Sequence, residues 1–238
     1  LFSHFIQRVI LNLFFFTADN LIFLSKSEWQ QANMSYKNFK EKFYFVPFCI
    51  DTGFWNKKNS NKPKNNIIFI GNDGRREFEL VKKIAEELKE YNFIFVTSEI
   101  KKEEIKSSNI HLYQGSWNKQ ILSDHELKDI YSEAKLSIIP IRNSYQPSGQ
   151  SVALQSMSMN VPVMITDTVG FWDKEAFTDK NNIYFIKKNT LNLWVESIRS
   201  AISDKDELKK VSINGNKAVK EIYNSENFYK SLKNIVLK

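Results

Sequence analysis

A doubly wound α/β fold with a parallel sheet is predicted by three features of this 238-residue chain. Short apolar runs alternate with segments of helical period from residue 67 onward. Most of those runs end in turn-forming residues, so a loop separates strand from helix. The stretch 145–166, YQPSGQSVALQSMSMNVPVMIT, shows the repeating unit most plainly. It reads as a loop to Ser148, a helix of about ten residues opening at Gly149-Gln150-Ser151, and a strand over 161–166. The apolar run 136–141 (LSIIPI) precedes it and completes strand, loop, helix, strand.

The elements follow in order. Residues 20–25 (NLIFLS) read as a buried strand, 26–36 as a polar-faced helix, and 43–48 (FYFVPF) as extended chain. Residues 56–66 contain no apolar side chain and mark a solvated loop at or just after a boundary. Beyond it, 67–70 is a strand ending in Gly71-Asn72-Asp73-Gly74, and 76–91 a helix with Phe78, Val81, Ile84, Ala85 and Leu88 on one face. Strands are expected at 92–97 and 110–113. Ser123 and Glu126 form a capping box for a helix that turns Leu127, Ile130, Tyr131 and Ala134 inward and leaves His125 exposed. Residues 183–186 are a last short strand, and 190–238 read as two or three helices.

Composition narrows the function. With 42% hydrophobic and 14% aromatic residues, the chain is globular. A single cysteine, Cys49, leaves no intramolecular disulfide and suits a reducing compartment. His4, His111 and His125 lack metal-ligand spacing, so no metal is expected. The net charge of +7 is spread along the chain, as on a solvated surface, and attraction to nucleotide phosphates or an anionic membrane face is the functional alternative. Neither zinc-finger spacing nor an aromatic-and-basic RNA motif appears, so nucleic acid is not an expected partner. Arg8 and Asn12 interrupt the apolar stretch 1–16, which falls short of the roughly twenty apolar residues of a spanning helix. Its charge lies inside the apolar run and not ahead of it, unlike a signal peptide. The expectation is a helix whose packing partner belongs to sequence outside this chain, the chain being a fragment.

In a doubly wound sheet, ligands bind beyond the strands' carboxyl ends. The loops there are 71–76, 97–98, 115–118, 142–151 and 166–173. Three collinear segments resemble the group-1 (glycogen-synthase-like) branch of the two-domain GT-B glycosyltransferases. VPFCIDTGFW (46–55) is similar to the inter-domain linker of that family. IIFIGNDGRREFELV (67–81) is similar to its strand–glycine–basic–helix start, and residues 125–173 resemble its donor-site block.

The resemblance implies a Rossmann-like C-terminal donor domain with a remnant of the acceptor-side domain. Residues 1–45 would be the end of the N-terminal domain, 46–66 the linker, 67–205 the nucleotide-sugar-binding domain, and 206–238 helices packing back toward the N-terminal domain. It implies sugar transfer from a nucleotide-sugar donor to a glycan, lipid-linked or small-molecule acceptor, with retention and without a metal or other cofactor. The cytoplasm is the expected location, with room for peripheral contact at the inner membrane face. The fragment alone is expected to be inactive.

By the same resemblance, Arg76 stabilises the leaving diphosphate as the catalytic residue. Gly71, Asn72 and Arg75 belong to the donor-binding set, with Arg75 the neighbouring candidate for the charge. Ser148, Gly149, Gln150 and Ser151 would present N–H groups and hydroxyls to the diphosphate at a helix start, where unpaired donors and the macrodipole favour an anion. Gln155 would meet the ribose and Trp117 the base, although packing serves each as well. Three positions depart from the family pattern: Pro147 and Gln155 stand where glutamates are common, and Asn72 stands where an arginine is usual. Phe171 and Trp172 read first as core residues. Two other readings stay open, a sugar-nucleotide epimerase of the same fold and a non-catalytic partner subunit.

Overall fold

The computed structural model describes residues 2–56, 64–114 and 122–237. Helix α1 (Phe2–Thr17) buries Phe15 against the rings of Tyr36, Phe39 and Phe43, with centroids 4.7, 5.7 and 5.3 Å away. Leu13 and Phe16 on the same helix are exposed. Strands β1 (Leu21–Phe23) and β2 (Phe43–Phe45) pair in parallel, joined through helix α2 (Lys26–Ser35) and a 3-10 turn. Ser25 caps α2 by accepting the Glu28 N–H at 3.4 Å.

Residues 20–25 are therefore not a buried strand: only Leu21–Phe23 pairs, and Ile22 is 37% exposed. Among the described residues, this two-stranded sheet leaves Ile22 open. The run 43–48 also stops short. Val46 still donates to Phe23 O at 3.0 Å, but Pro47 has no N–H to continue the ladder.

The main sheet comprises β3 (Asn66–Ile70), β4 (Asn92–Val96), β5 (Ile110–Tyr113), β6 (Ala134–Ile139), β7 (Val163–Thr166) and β8 (Tyr184–Ile186). All of its pairings are parallel, in the order β5-β4-β3-β6-β7-β8. That is the doubly wound order in which the crossovers leave the two central strands in opposite directions. Its helices are α3 (Phe78–Glu87), α4 (Asp124–Glu133), α5 (Gln150–Ser158), α6 (Leu191–Ser203), α7 (Lys205–Ile222) and α8 (Ser225–Val236).

One core layer joins α3 and α6 to the sheet through Val81, Ile84, Trp194 and Ile198. The other joins α4, α5 and the segment around Ile50 and Trp55 through Tyr131, Leu154 and Met157. The capping box forms as read, with Ser123 and Glu126 each satisfying the other's backbone N–H. His125 is exposed and meets the Phe54 ring edge-on at 5.2 Å. Phe171 and Trp172 are core residues, stacked at 4.0 Å and nearly inaccessible.

The C-terminal helices tie back to the chain ahead of β3. Ile50 N–H donates to Tyr223 O at 3.0 Å, and Ser225 Oγ donates to Ile50 O at 3.4 Å. Tyr223 is fully buried and its hydroxyl donates to Asp173 Oδ2 at 3.0 Å; burial and that carboxylate both push its phenol upward. Among the described residues, no helix is long and apolar enough to cross a membrane.

Candidate functional site

Strands β3 and β6 lie side by side at the topological switch point, so the loops that leave their carboxyl ends meet. The first loop runs from Gly71 to Arg76. Arg76 is not in the helix expected over 76–91, since α3 begins only at Phe78. Residues 75–77 instead form an antiparallel clip with 140–142: Arg76 bridges Ile141, Arg142 N–H donates to Arg75 O at 2.7 Å, and Glu77 N–H donates to Pro140 O at 3.0 Å. The clip turns the Arg76 side chain inward, where it is 2% exposed, and not into solvent at a helix start.

Two glycines make its slot. Gly71 has φ +146°, and a Cβ there would meet Nη2 of Arg76 at 2.8 Å and Cζ at 3.0 Å. Gly149 has φ +77°, and a Cβ there would meet Nη1 at 2.7 Å and Ile139 Cγ2 at 2.7 Å. The guanidinium therefore lies between the end of β3 and the residue that begins α5. Its Nε and Nη1 are buried without a hydrogen-bond partner, although Asp73 Oδ2 is 3.3 Å from Nε. Burial pushes this group below the usual guanidinium range, and Asp73, then Tyr131, oppose the shift.

Above the guanidinium, α5 starts on Gly149 in the left-handed conformation, and no side chain caps its first turn. Roughly half a positive charge gathers at such an end, carried by N–H groups without intrahelical partners. A cleft of about 230 Å³ opens here, lined by Asp73, Arg75, Ser148, Gly149, Gln150 and Ser151, with Phe48 and Pro147 as its apolar patch. Ser148 Oγ donates to Asp73 Oδ1 at 3.0 Å, and Gln150 Nε2 donates to Leu24 O at 3.3 Å. Those two side chains are engaged with protein, so this end offers an anion its backbone N–H groups and the exposed Ser151 side chain. Arg75 donates from Nη2 to Gln146 Oε1 at the cleft edge.

A second cleft, of about 220 Å³, lies along the edge strand β8 and α6, among Asp179, Lys180, Glu196 and Glu207. Volume does not separate the two; charge and position do. Three carboxylates against one lysine, along the edge strand and away from the switch point, do not suit a phosphate.

The expected site residues are thus only partly gathered. Arg75, Ser148, Gly149, Gln150 and Ser151 line one cleft, with Arg76 and Gly71 directly beneath. Asn72 turns away: its Oδ1 accepts from Thr97 Oγ1 at 3.0 Å and from Ser98 N–H at 2.7 Å, joining the loops after β3 and β4. Gln155 lies deeper along α5, where Oε1 accepts the Tyr131 hydroxyl at 3.1 Å. Trp117 falls outside the described residues. Phe48 joins the cleft without having been expected there, and Asp73, whose turn with Asn72 and Gly74 reads as one close to the phosphates or sugar, lines it too. The sequence signal for Asp73 was its place three residues before Arg76, spacing that brings the two together at a turn. Among the described residues, no group of three His, Cys, Asp or Glu side chains is placed to hold a metal ion.

Sheet order, switch point and helix-end cleft define a Rossmann-like α/β architecture. No family model matches the chain, and no curated protein matches it. Solved structures do. A glycosyltransferase from Rickettsia africae ESF-5 is similar over 92% of this chain and 64% of its own, at 13% identity and TM-score 0.70. Anabaena HepE in complex with UDP and glucose is similar over 97% of this chain and 66% of its own, at 11% identity and TM-score 0.74. WaaG, a glycosyltransferase involved in lipopolysaccharide biosynthesis, is similar over 91% of this chain and 62% of its own, at 17% identity and TM-score 0.65. The fold is that of the group-1-type GT-B glycosyltransferases, and the chain spans less than two thirds of these proteins' length.

Proposed function

We propose that this chain binds a nucleotide sugar and passes its sugar to an acceptor hydroxyl, with retention, in glycan or glycoconjugate assembly. The observation that carries the reading is the Arg76 guanidinium, buried under an uncapped helix end with two of its nitrogens unpartnered. A buried cation without full compensation is costly. An anion seated on the first turn of α5 would supply that compensation and take the backbone donors as well. A diphosphate fits this description, and the HepE structures hold UDP, UDP-glucose, or UDP with glucose.

In this reading the diphosphate rests on the N–H groups of Gly149, Gln150 and Ser151. Arg75 faces it across the cleft and Arg76 supports it from below. As the sugar leaves, negative charge grows on the distal phosphate, and fixed positive charge there lowers the barrier. A donor phosphate oxygen helps deprotonate the acceptor, so the protein's contribution is positioning and charge. Residues 67–205 form the donor domain, 1–45 the end of the acceptor-side domain, and 206–238 pack back toward that domain.

Calorimetry of the intact protein against UDP, ADP and GDP, and against UDP-glucose, ADP-glucose and GDP-mannose, tests the reading. One matched pair should bind at micromolar concentration, and the nucleoside diphosphate should be released on turnover. Binding of none would remove the diphosphate from the cleft; binding without release would favour the partner-subunit reading. A chelator should leave turnover within about twofold, because guanidinium and helix end already meet the leaving-group charge. A loss of more than tenfold, restored by a divalent cation, would contradict that.

A further inference from the structure

One group in the cleft is wrong for a phosphate. Asp73 is the one carboxylate among the described residues that line it, and its side chain is 38% exposed. A diphosphate on α5 must keep away from that negative charge, so whatever touches Asp73 has to donate hydrogen bonds.

The two carboxylate oxygens are not equivalent. Oδ1 accepts the Arg75 N–H and the Ser148 hydroxyl, both at 3.0 Å. Oδ2 faces Arg76 Nε at 3.3 Å, but Nε makes no hydrogen bond to it. An ionised carboxylate has about four acceptor positions, so Oδ2 keeps acceptor capacity. The two bonds to Oδ1 pin the group to the loop ahead of α5 and to its own loop, so little side-chain freedom is lost when a ligand arrives. The position follows from the chain. Ser148 is the residue before Gly149, so Asp73 sits just outside the helix end where the distal phosphate rests. The sugar of a nucleotide sugar is attached directly to that phosphate and carries the hydroxyls nearest to it.

We propose that Asp73 Oδ2 accepts a hydroxyl of the transferred sugar, making Asp73 a specificity-determining residue of this site. The proposal rests on the diphosphate reading above. It assigns sugar recognition to the β3–α3 loop, across the cleft from Pro147, whose side chain offers no hydrogen bond.

The test is Asp73→Asn in the intact protein, titrated with the nucleoside diphosphate and nucleotide sugar that bind best in the panel above. Asn keeps the shape and one acceptor but removes the charge. Affinity for the nucleoside diphosphate should hold or rise, since a like charge has gone, whereas affinity for the nucleotide sugar should fall about tenfold or more. Equal weakening of both ligands would make Asp73 a loop anchor only and overturn the proposal. So would an unchanged ratio of the two affinities. If Asp73→Asn does not fold, Asp73→Ser is read by the same ratio. A wild-type protein that binds neither member of any pair fails the functional reading itself, and the Asp73 assignment falls with it; wild-type binding with no shift in the Asn ratio fails the Asp73 assignment alone.

Discussion

Arg76→Met in the intact protein should lower turnover by about a hundredfold or more, the scale of losing one stabilising donor, while leaving its resistance to heat unchanged or improved. The two halves of this result come from one fact: the guanidinium is buried and incompletely paired. Burying it costs desolvation, which a methionine, replacing the stem as far as the position of Nε, does not incur. The usual penalty for removing one member of an ion pair is the other charge left stranded in the interior. Asp73 escapes it, because its side chain is 38% exposed and stays hydrated. The stability change should therefore lie within about 1 kcal/mol of zero or be favourable. If Arg76 meets the leaving group as charge builds, kcat should fall more than KM rises. Arg76→Lys should fall between the two, keeping the charge but not the planar group that fits between Gly71 and Gly149. Steady-state kinetics and thermal unfolding on the same preparations decide it. Normal turnover would take Arg76 out of the mechanism, and a loss of several kcal/mol of stability would make it a structural residue.

The main sheet was legible because its strands are short apolar runs, with both faces buried in β3, β6 and β7, and because helical spacing filled the gaps between them. The capping box at Ser123 and the burial of Val81, Ile84, Ala85 and Leu88 need only local pattern, and both appear as read. Arg76 was misplaced for a physical reason. Arg-Arg-Glu directly before an amphipathic segment resembles a first helical turn. What pulls Arg76 out of the helix is an isolated bridge to Ile141, just past the end of β6 and far along the chain. Burial of β1 was over-read for a similar reason: an apolar run indicates what a strand can bury, not whether a second layer covers it. At the site, the meeting of the glycine after β3 with the helix start after β6 was readable from motif order. The partners that Asn72, Gln150 and Gln155 chose were not, since each amide is satisfied by a residue that no local pattern brings near. Asp73 was visible as a turn residue. Its importance emerges only once Ser148 and Arg76 are seen on its two oxygens.

Gly149→Ala should destabilise the protein by about 2–5 kcal/mol and disable donor binding with it. Two costs add. The left-handed backbone at φ +77° disfavours an L-residue by roughly 1–2 kcal/mol. The new methyl then meets Nη1 of Arg76 and Cγ2 of Ile139, each at 2.7 Å, and overpacking of this kind costs about 1–3 kcal/mol. Gly74 is the matched control in the same pair of loops: a Cβ there meets nothing within 4 Å, so Gly74→Ala should stay within about 0.5 kcal/mol of wild type. Denaturant unfolding of both variants measures the difference. The coupling with Arg76 is the sharper reading. In an Arg76→Met background the flexible thioether can move aside, so the Gly149→Ala penalty should shrink by about 0.5–3 kcal/mol, the range for residues in contact. It should not vanish, because the backbone strain and Ile139 remain. Strict additivity would mean that glycine and guanidinium do not press on each other. The slot would then have no part in holding Arg76 beneath the helix end, and its position there would need another cause.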